Sequence, residues 1–273
     1  MHEIDRHRHM PSTDQISILA ATILLAYALA HFIALPAREF GAQLPGIYVS
    51  IRIDFQSLVV LLVAGLTAVG ASWLIHSHPY LGNQKSLEHW LLPALTAWVI
   101  GVPLFQLSLG PVWWAGFVGG GILLILVLIA EYIAVDPEDI RQPIAAAGLT
   151  ALSFSLYLVL ASALRYSQAR LYVILPALTI AAWLVILRAL RLRLHSSWLI
   201  LPASVIALVA AQLCAAFHYW PLSPVAYGLA QLGPLYALTI LVGNLAEGES
   251  LRQGFIGPAG LLLLIWGATI WLN

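Results

Sequence analysis

Long apolar runs alternate with short polar breaks along almost the whole chain. Nine runs approach or reach the ~20 residues that cross a bilayer as a helix. They are Ile16 to Ala34, Gln56 to Ile75, His89 to Leu107, Pro111 to Val135, Pro143 to Leu164, Leu171 to Leu190, Trp198 to Phe217, Pro224 to Ala246 and Phe255 to Leu272. Backbone amides in hydrocarbon must be satisfied within the segment, so these runs are helices. The break Phe217-His218-Tyr219-Trp220-Pro221-Leu222-Ser223-Pro224 shows the plan most clearly. It sets a histidine, interfacial aromatics and helix-starting prolines between two spans.

One stretch has a different period. Ile47, Val49, Ile51, Ile53 and Phe55 alternate with Tyr48, Ser50, Arg52 and Asp54. Period two predicts an extended segment. With no partner strand in view, it is expected to lie across helix ends; the alternative is that it begins the second helix. The prediction is therefore an all-α, polytopic transmembrane bundle of eight or nine helices, forming a single integral membrane domain over residues 1–273.

Composition narrows the class. The 273 residues are 61% hydrophobic and 9% charged, whereas a soluble domain carries about 25% charged residues. Net charge is zero, which gives no footprint for nucleic acid. The single cysteine, Cys214, lies in an apolar run and has no partner for an internal disulfide. Arg6 and Arg8 precede a run ending Ala28-Leu29-Ala30, superficially like a cleavable signal; it is read here as the first membrane helix. Lys and Arg set the orientation. With the N-terminus inside, the inner connections hold Arg6, Arg8, Lys85, Arg141, Arg188, Arg191, Arg193 and Arg252, and the outer ones Arg38, Arg52, Arg165 and Arg170. Eight against four predicts a cytoplasmic (inner) membrane protein with its N-terminus inside and its C-terminus outside.

Small and repeated residues suggest how the helices pack. Gly116, Gly119, Gly120 and Gly121 in the fourth span predict close helix approach. Leu92-Pro93-Ala94-Leu95-Thr96 returns as Leu175-Pro176-Ala177-Leu178-Thr179. That is either an inverted repeat of the transporter kind or a coincidence of Leu/Ala-rich helices.

Candidate chemistry gathers at the two ends. On the outer side stand Asp54, Arg165, Arg170 and His218. They form either a headgroup site for phosphate or carboxylate, a structural Arg–Asp clamp, or side chains snorkelling to water. On the inner side, Glu131 ends the fourth span opposite Arg188 and Arg191. This cluster either zips the inner face together or carries catalysis. His76, His78, Glu88 and His89 form a second inner group, too sparse for a metal set; no metal and no cofactor is expected. Walker, G-x-S-x-G, H-E-x-x-H and dinucleotide motifs are absent. The only lysine, Lys85, lies in a loop, which excludes a retinal Schiff base.

The tract Ala130-Glu131-Tyr132 through Asp136, then Leu175-Pro176-Ala177 and His218-Tyr219-Trp220-Pro221-Leu222-Ser223-Pro224, resembles an uncharacterised bacterial family of multi-pass membrane proteins (a domain of unknown function). The resemblance implies an all-helical bacterial membrane protein and assigns no activity or site. The leading expectation is a non-enzymatic scaffold or accessory protein that binds membrane lipids or a partner membrane protein, which includes a homo-oligomer. The alternatives are a membrane-embedded enzyme acting on a lipid or lipid-linked substrate, and a small-solute transporter.

Overall fold

The structure is a computed structural model, and it describes residues 12–33, 38–44, 47–53, 55–76, 89–136, 138–194 and 198–273. Nine helices form among these residues: α1 (Thr13–Phe32), α2 (Phe55–His76), α3 (Leu91–Gln106), α4 (Pro111–Ile133), α5 (Gln142–Tyr166), α6 (Leu171–Leu194), α7 (Ile200–His218), α8 (Pro224–Ala246) and α9 (Leu251–Leu272). Eight are long and apolar enough to span a bilayer; α3, at 16 residues, is the short one. The expected helices all form, with ends that move by a few residues. Successive helices run up and down, so α1, α3, α5, α7 and α9 start at one end of the bundle, here the near end. The opposite end is the far end.

Between α1 and α2 lies a two-stranded antiparallel sheet, β1 (Arg38–Leu44) and β2 (Ile47–Ile53). The alternating stretch is thus extended but not alone. Arg38 pairs with Ile53, and Leu44 pairs with Ile47 across a two-residue connection. The expectation of a strand without a partner is corrected. The missed sign was Pro45-Gly46, a turn dipeptide at hairpin spacing.

Two apolar clusters make the core. One joins α1, α2, α3 and α4 through Ile23, Tyr27, Leu74, Trp113 and Leu128. The other joins α5, α6, α7 and α8 through Tyr157, Leu160, Val185, Ile186 and Tyr227, with α3 and α4 reaching into it. The glycine-rich start of α4 works by close approach. A Cβ on Gly120 would meet Ile100 Cγ2 at 2.7 Å, and one on Gly121 would meet Leu24 Cδ1 at 2.8 Å. Gly119 points into open space. The two Leu-Pro-Ala-Leu-Thr segments behave alike locally. Thr96 donates to the Leu92 carbonyl at 2.7 Å, and Thr179 to the Leu175 carbonyl at 2.6 Å.

Prolines both start and interrupt helices. Pro111, Pro143 and Pro224 occupy first-turn positions, where the missing N–H costs nothing. Ser223 caps α8 by accepting from the Ala226 amide at 3.3 Å. Pro234 and Pro258 lie inside α8 and α9. Each removes the donor for the carbonyl four residues earlier, which frees Ala230 and Gly254. Both freed carbonyls are satisfied from the neighbouring helix. Trp266 Nε1 of α9 donates to Ala230 O at 3.3 Å, and Asn244 Nδ2 of α8 donates to Gly254 O at 2.9 Å. In hydrocarbon no water is present to do this. The exchange therefore fixes α9, which is otherwise mostly outward-facing, against α8.

Candidate functional site

Three places stand out as candidate sites: the near end, the far end, and a cleft between helices. At the near end, three elements meet. Glu131 sits two residues before the end of α4, Arg188 lies in the last two turns of α6, and His89 precedes α3. All three are buried, Glu131 completely. Arg188 Nε donates to Glu131 Oε1 at 2.9 Å, and its Nη2 donates to Oε2. This is a two-pronged pairing that arginine's planar fork permits and lysine cannot copy. His89 Nδ1 lies 2.8 Å from Glu131 Oε2 and 3.3 Å from Arg188 Nη2. The shorter distance favours a proton on Nδ1, donated to the carboxylate.

The pair couples α4 of the first core to α6 of the second. Two charges in a low-dielectric site require this degree of mutual satisfaction, because desolvation alone is costly. Arg191 is half-buried on α6, about one turn beyond Arg188. The sequence pattern singles out Glu131 and Arg188, but it groups His89 with His76 and His78. In the structure His76 Nδ1 lies 2.6 Å from its own helix at Ser72 O; His78 and Glu88 lie outside the described residues. The neighbouring acids serve the turn into α5. Asp136 Oδ1 accepts from the Glu138 amide at 3.0 Å, and Asp139 Oδ1 from the Arg141 amide at 2.8 Å. Arg141 Nη2 also donates to Asp139 Oδ2 at 2.7 Å, and this bond holds the guanidinium's pKa above its ordinary value.

At the far end, Arg165 closes the C-terminus of α7. Its Nη1 donates to His218 O at 2.8 Å and its Nη2 to Trp220 O at 2.9 Å. A cation there meets the negative end of the helix and carbonyls at and just beyond its last turn. The guanidinium carbon also lies 5.4 Å from the Tyr227 ring centroid, a cation–π contact. Arg165 and His218 thus come together, but through the backbone of His218 and not its imidazole. Arg170 is exposed just before α6. Asp54 lies outside the described residues, so the expected four-residue cluster is seen only at its Arg165–His218 edge.

The third place is a cleft of about 420 Å³ between α5, α6 and α8, in the near half of the bundle. Its walls include Ala146, Ala147, Ala151, Phe154, Leu190 and Tyr236. Ala147 and Ala151 are exposed on the outside of the bundle, whereas Leu190 and Phe154 are buried. Thr150 and Thr239 also line it, with their hydroxyls engaged. Thr150 donates to Ala146 O at 2.8 Å and Thr239 to Leu235 O at 2.7 Å, both within their own helices. Arg193 stands at the near-end margin. Its Nε and Nη2 donate to Glu247 at 2.7 and 2.5 Å, and Nη2 also donates to Asn244 Oδ1 at 2.8 Å. The Arg193 bond holds the Glu247 carboxyl below the usual carboxylate range. The periodicity of the sequence gives no sign of this cleft, which opens where Ala146, Ala147 and Ala151 of α5 and Ala189 of α6 face α8.

Among the described residues, no three His, Cys, Asp or Glu side chains gather as a metal set. The chemistry on offer is structural pairing at both ends and an apolar recess between them. No curated protein and no solved structure matches the chain. One family model does, from residue 35 to residue 272, which leaves α1 outside the match and takes in the sheet and α2 to α9. The chain belongs to the family described as Protein of unknown function (DUF5656), an uncharacterised family.

Proposed function

We propose that this protein is a non-catalytic component of a cell membrane that holds a lipid acyl chain in the cleft between α5, α6 and α8. The cleft carries this reading. It is apolar, it opens beside Ala147 and Ala151, and it lies within helices that reach membrane-spanning length. At that depth the surrounding solvent is hydrocarbon. The Lys/Arg bias favours the near end as the cytoplasmic side, and on that reading the bound lipid belongs to the inner leaflet. The excess of outward-facing apolar surface on α9 suits a scaffold or accessory role among lipids and other membrane helices.

The polar groups support the same reading. A catalytic site for lipid-linked substrates needs donors aimed at a phosphate, and two of the Arg165 donors at the far end are directed at backbone carbonyls instead. The test uses a phosphatidylcholine with a photoactivatable acyl chain, in vesicles holding the full-length protein. Labelling concentrates on peptides from α5 and α8 that line the cleft, and Ala151→Phe removes most of it. Labelling spread evenly around all outward helix faces, unchanged by Ala151→Phe, contradicts the proposal.

A further inference from the structure

Four polar side chains meet inside the second core, away from the near-end triad and from the cleft. Tyr157 on α5, Cys214 on α7, and Tyr227 and Gln231 on α8 are each fully buried. From helix rise they lie roughly 4–14 Å below the far end. One close contact joins them: the Tyr227 hydroxyl and the Cys214 thiol are 3.3 Å apart. Tyr157 packs in the same buried cluster as Cys214 and Tyr227, and Gln231 lies one turn on from Tyr227 on the same face of α8. Yet the Tyr157 hydroxyl and both amide atoms of Gln231 lack a partner in hydrogen-bond geometry.

A single orphaned polar atom can be tolerated as a local cost. Three such atoms, from two facing helices and around one hydroxyl, call for a shared partner. That partner must donate and accept, because the Gln231 amide offers both a donor and an acceptor and tyrosine hydroxyls do either. A neutral partner suits the group, because its four side chains are uncharged and the Arg165 guanidinium over the Tyr227 ring donates to carbonyls at the far end. It must also be small. One turn away, a Cβ on Gly228 would meet Ser162 Oγ at 2.6 Å and the Leu158 carbonyl at 3.1 Å, so α5 and α8 are in close contact. A buried water meets every condition, and it needs only two to four polar partners.

We propose that Tyr157, Tyr227 and Gln231 form a binding site for internal water within the membrane domain, with the Cys214 thiol on its wall. Cys214 is the chain's only cysteine, so its S–H stretch is a single infrared band and an internal reporter. The experiment transfers the full-length protein, in lipid vesicles, into D2O and follows conversion of S–H to S–D. Wild type is expected to convert readily. The Tyr157→Phe/Gln231→Leu double variant is expected to convert about tenfold more slowly or less, because the thiol then exchanges only through opening of the bundle. Equal rates in the two proteins overturn the proposal. Unfolding of the single variants gives an independent check. With a bridging water, each single substitution lowers stability and the double variant loses less than their sum. Without it, removing an orphaned group leaves stability unchanged or raises it, and that result also overturns the proposal.

Discussion

Trp266 of α9 donates its indole N–H to the carbonyl of Ala230 on α8, the carbonyl that Pro234 deprives of its helical donor. Asn244 returns the service to Gly254, freed by Pro258. Each proline therefore creates the acceptor that its neighbour helix needs for docking. Trp266→Phe is expected to cost about 1 kcal/mol for the lost hydrogen bond. The cost should shrink in a Pro234→Ala background, where Ala230 regains a donor from its own helix. Reversible unfolding of the four proteins in mixed micelles reads this coupling directly.

Glu131 and Arg188 are buried and joined at two points, so removing either charge strands the other. Glu131→Gln or Arg188→Gln is expected to destabilise the fold by about 3–5 kcal/mol, and Glu131→Leu with Arg188→Met to recover much of that loss. The same unfolding assay decides. If the single variants unfold like wild type, the pair does not hold the two cores together.

The glycines of α4 differ in what they face. Gly120→Ala drives a methyl into the branched Cγ2 of Ile100 and should cost about 1–3 kcal/mol. Gly121→Ala meets only the flexible end of Leu24 and should cost less. Gly119→Ala enters open space and should be neutral or slightly stabilising through helix propensity. Thermal inactivation of the three variants gives the order.

At the margin of the cleft, the lowered pKa of Glu247 carries a pH signature. A carboxyl whose folded pKa lies below its unfolded value adds stability above the unfolded value, about 4.3 for glutamate. That contribution is lost as pH falls through the folded pKa. Wild type should therefore exceed Glu247→Gln in melting temperature at neutral pH, and the gap should close in acid. Because the pair is exposed, the gap is small and shrinks with added salt.

The helices were readable because each is a long apolar run in a chain with few charges, and length alone fixes them. Glu131 and Arg188 stood out because charge at the end of a span requires a partner. His89 did not, since a histidine in a polar connection is ordinary and nothing in the sequence ties it to Glu131, 42 positions away. The Ala230 and Gly254 carbonyls could have been marked from Pro234 and Pro258, four residues on, but not the side chains that satisfy them. β1 was missed because Glu39-Phe40-Gly41-Ala42-Gln43 lacks strict alternation; only the turn dipeptide after Leu44 points to it. The cleft and the Tyr157–Gln231 group depend on which faces three helices turn to one another, and a single chain's periodicity does not encode that.

Native mass spectrometry of the full-length protein, released gently from lipid, tests the lipid-cleft reading most directly. Wild type should leave the detergent with a retained phospholipid, and Ala151→Phe, which fills the cleft, should leave without it while remaining folded. Equal lipid retention by both proteins, or a bare wild-type chain under conditions that keep it folded, would contradict that reading.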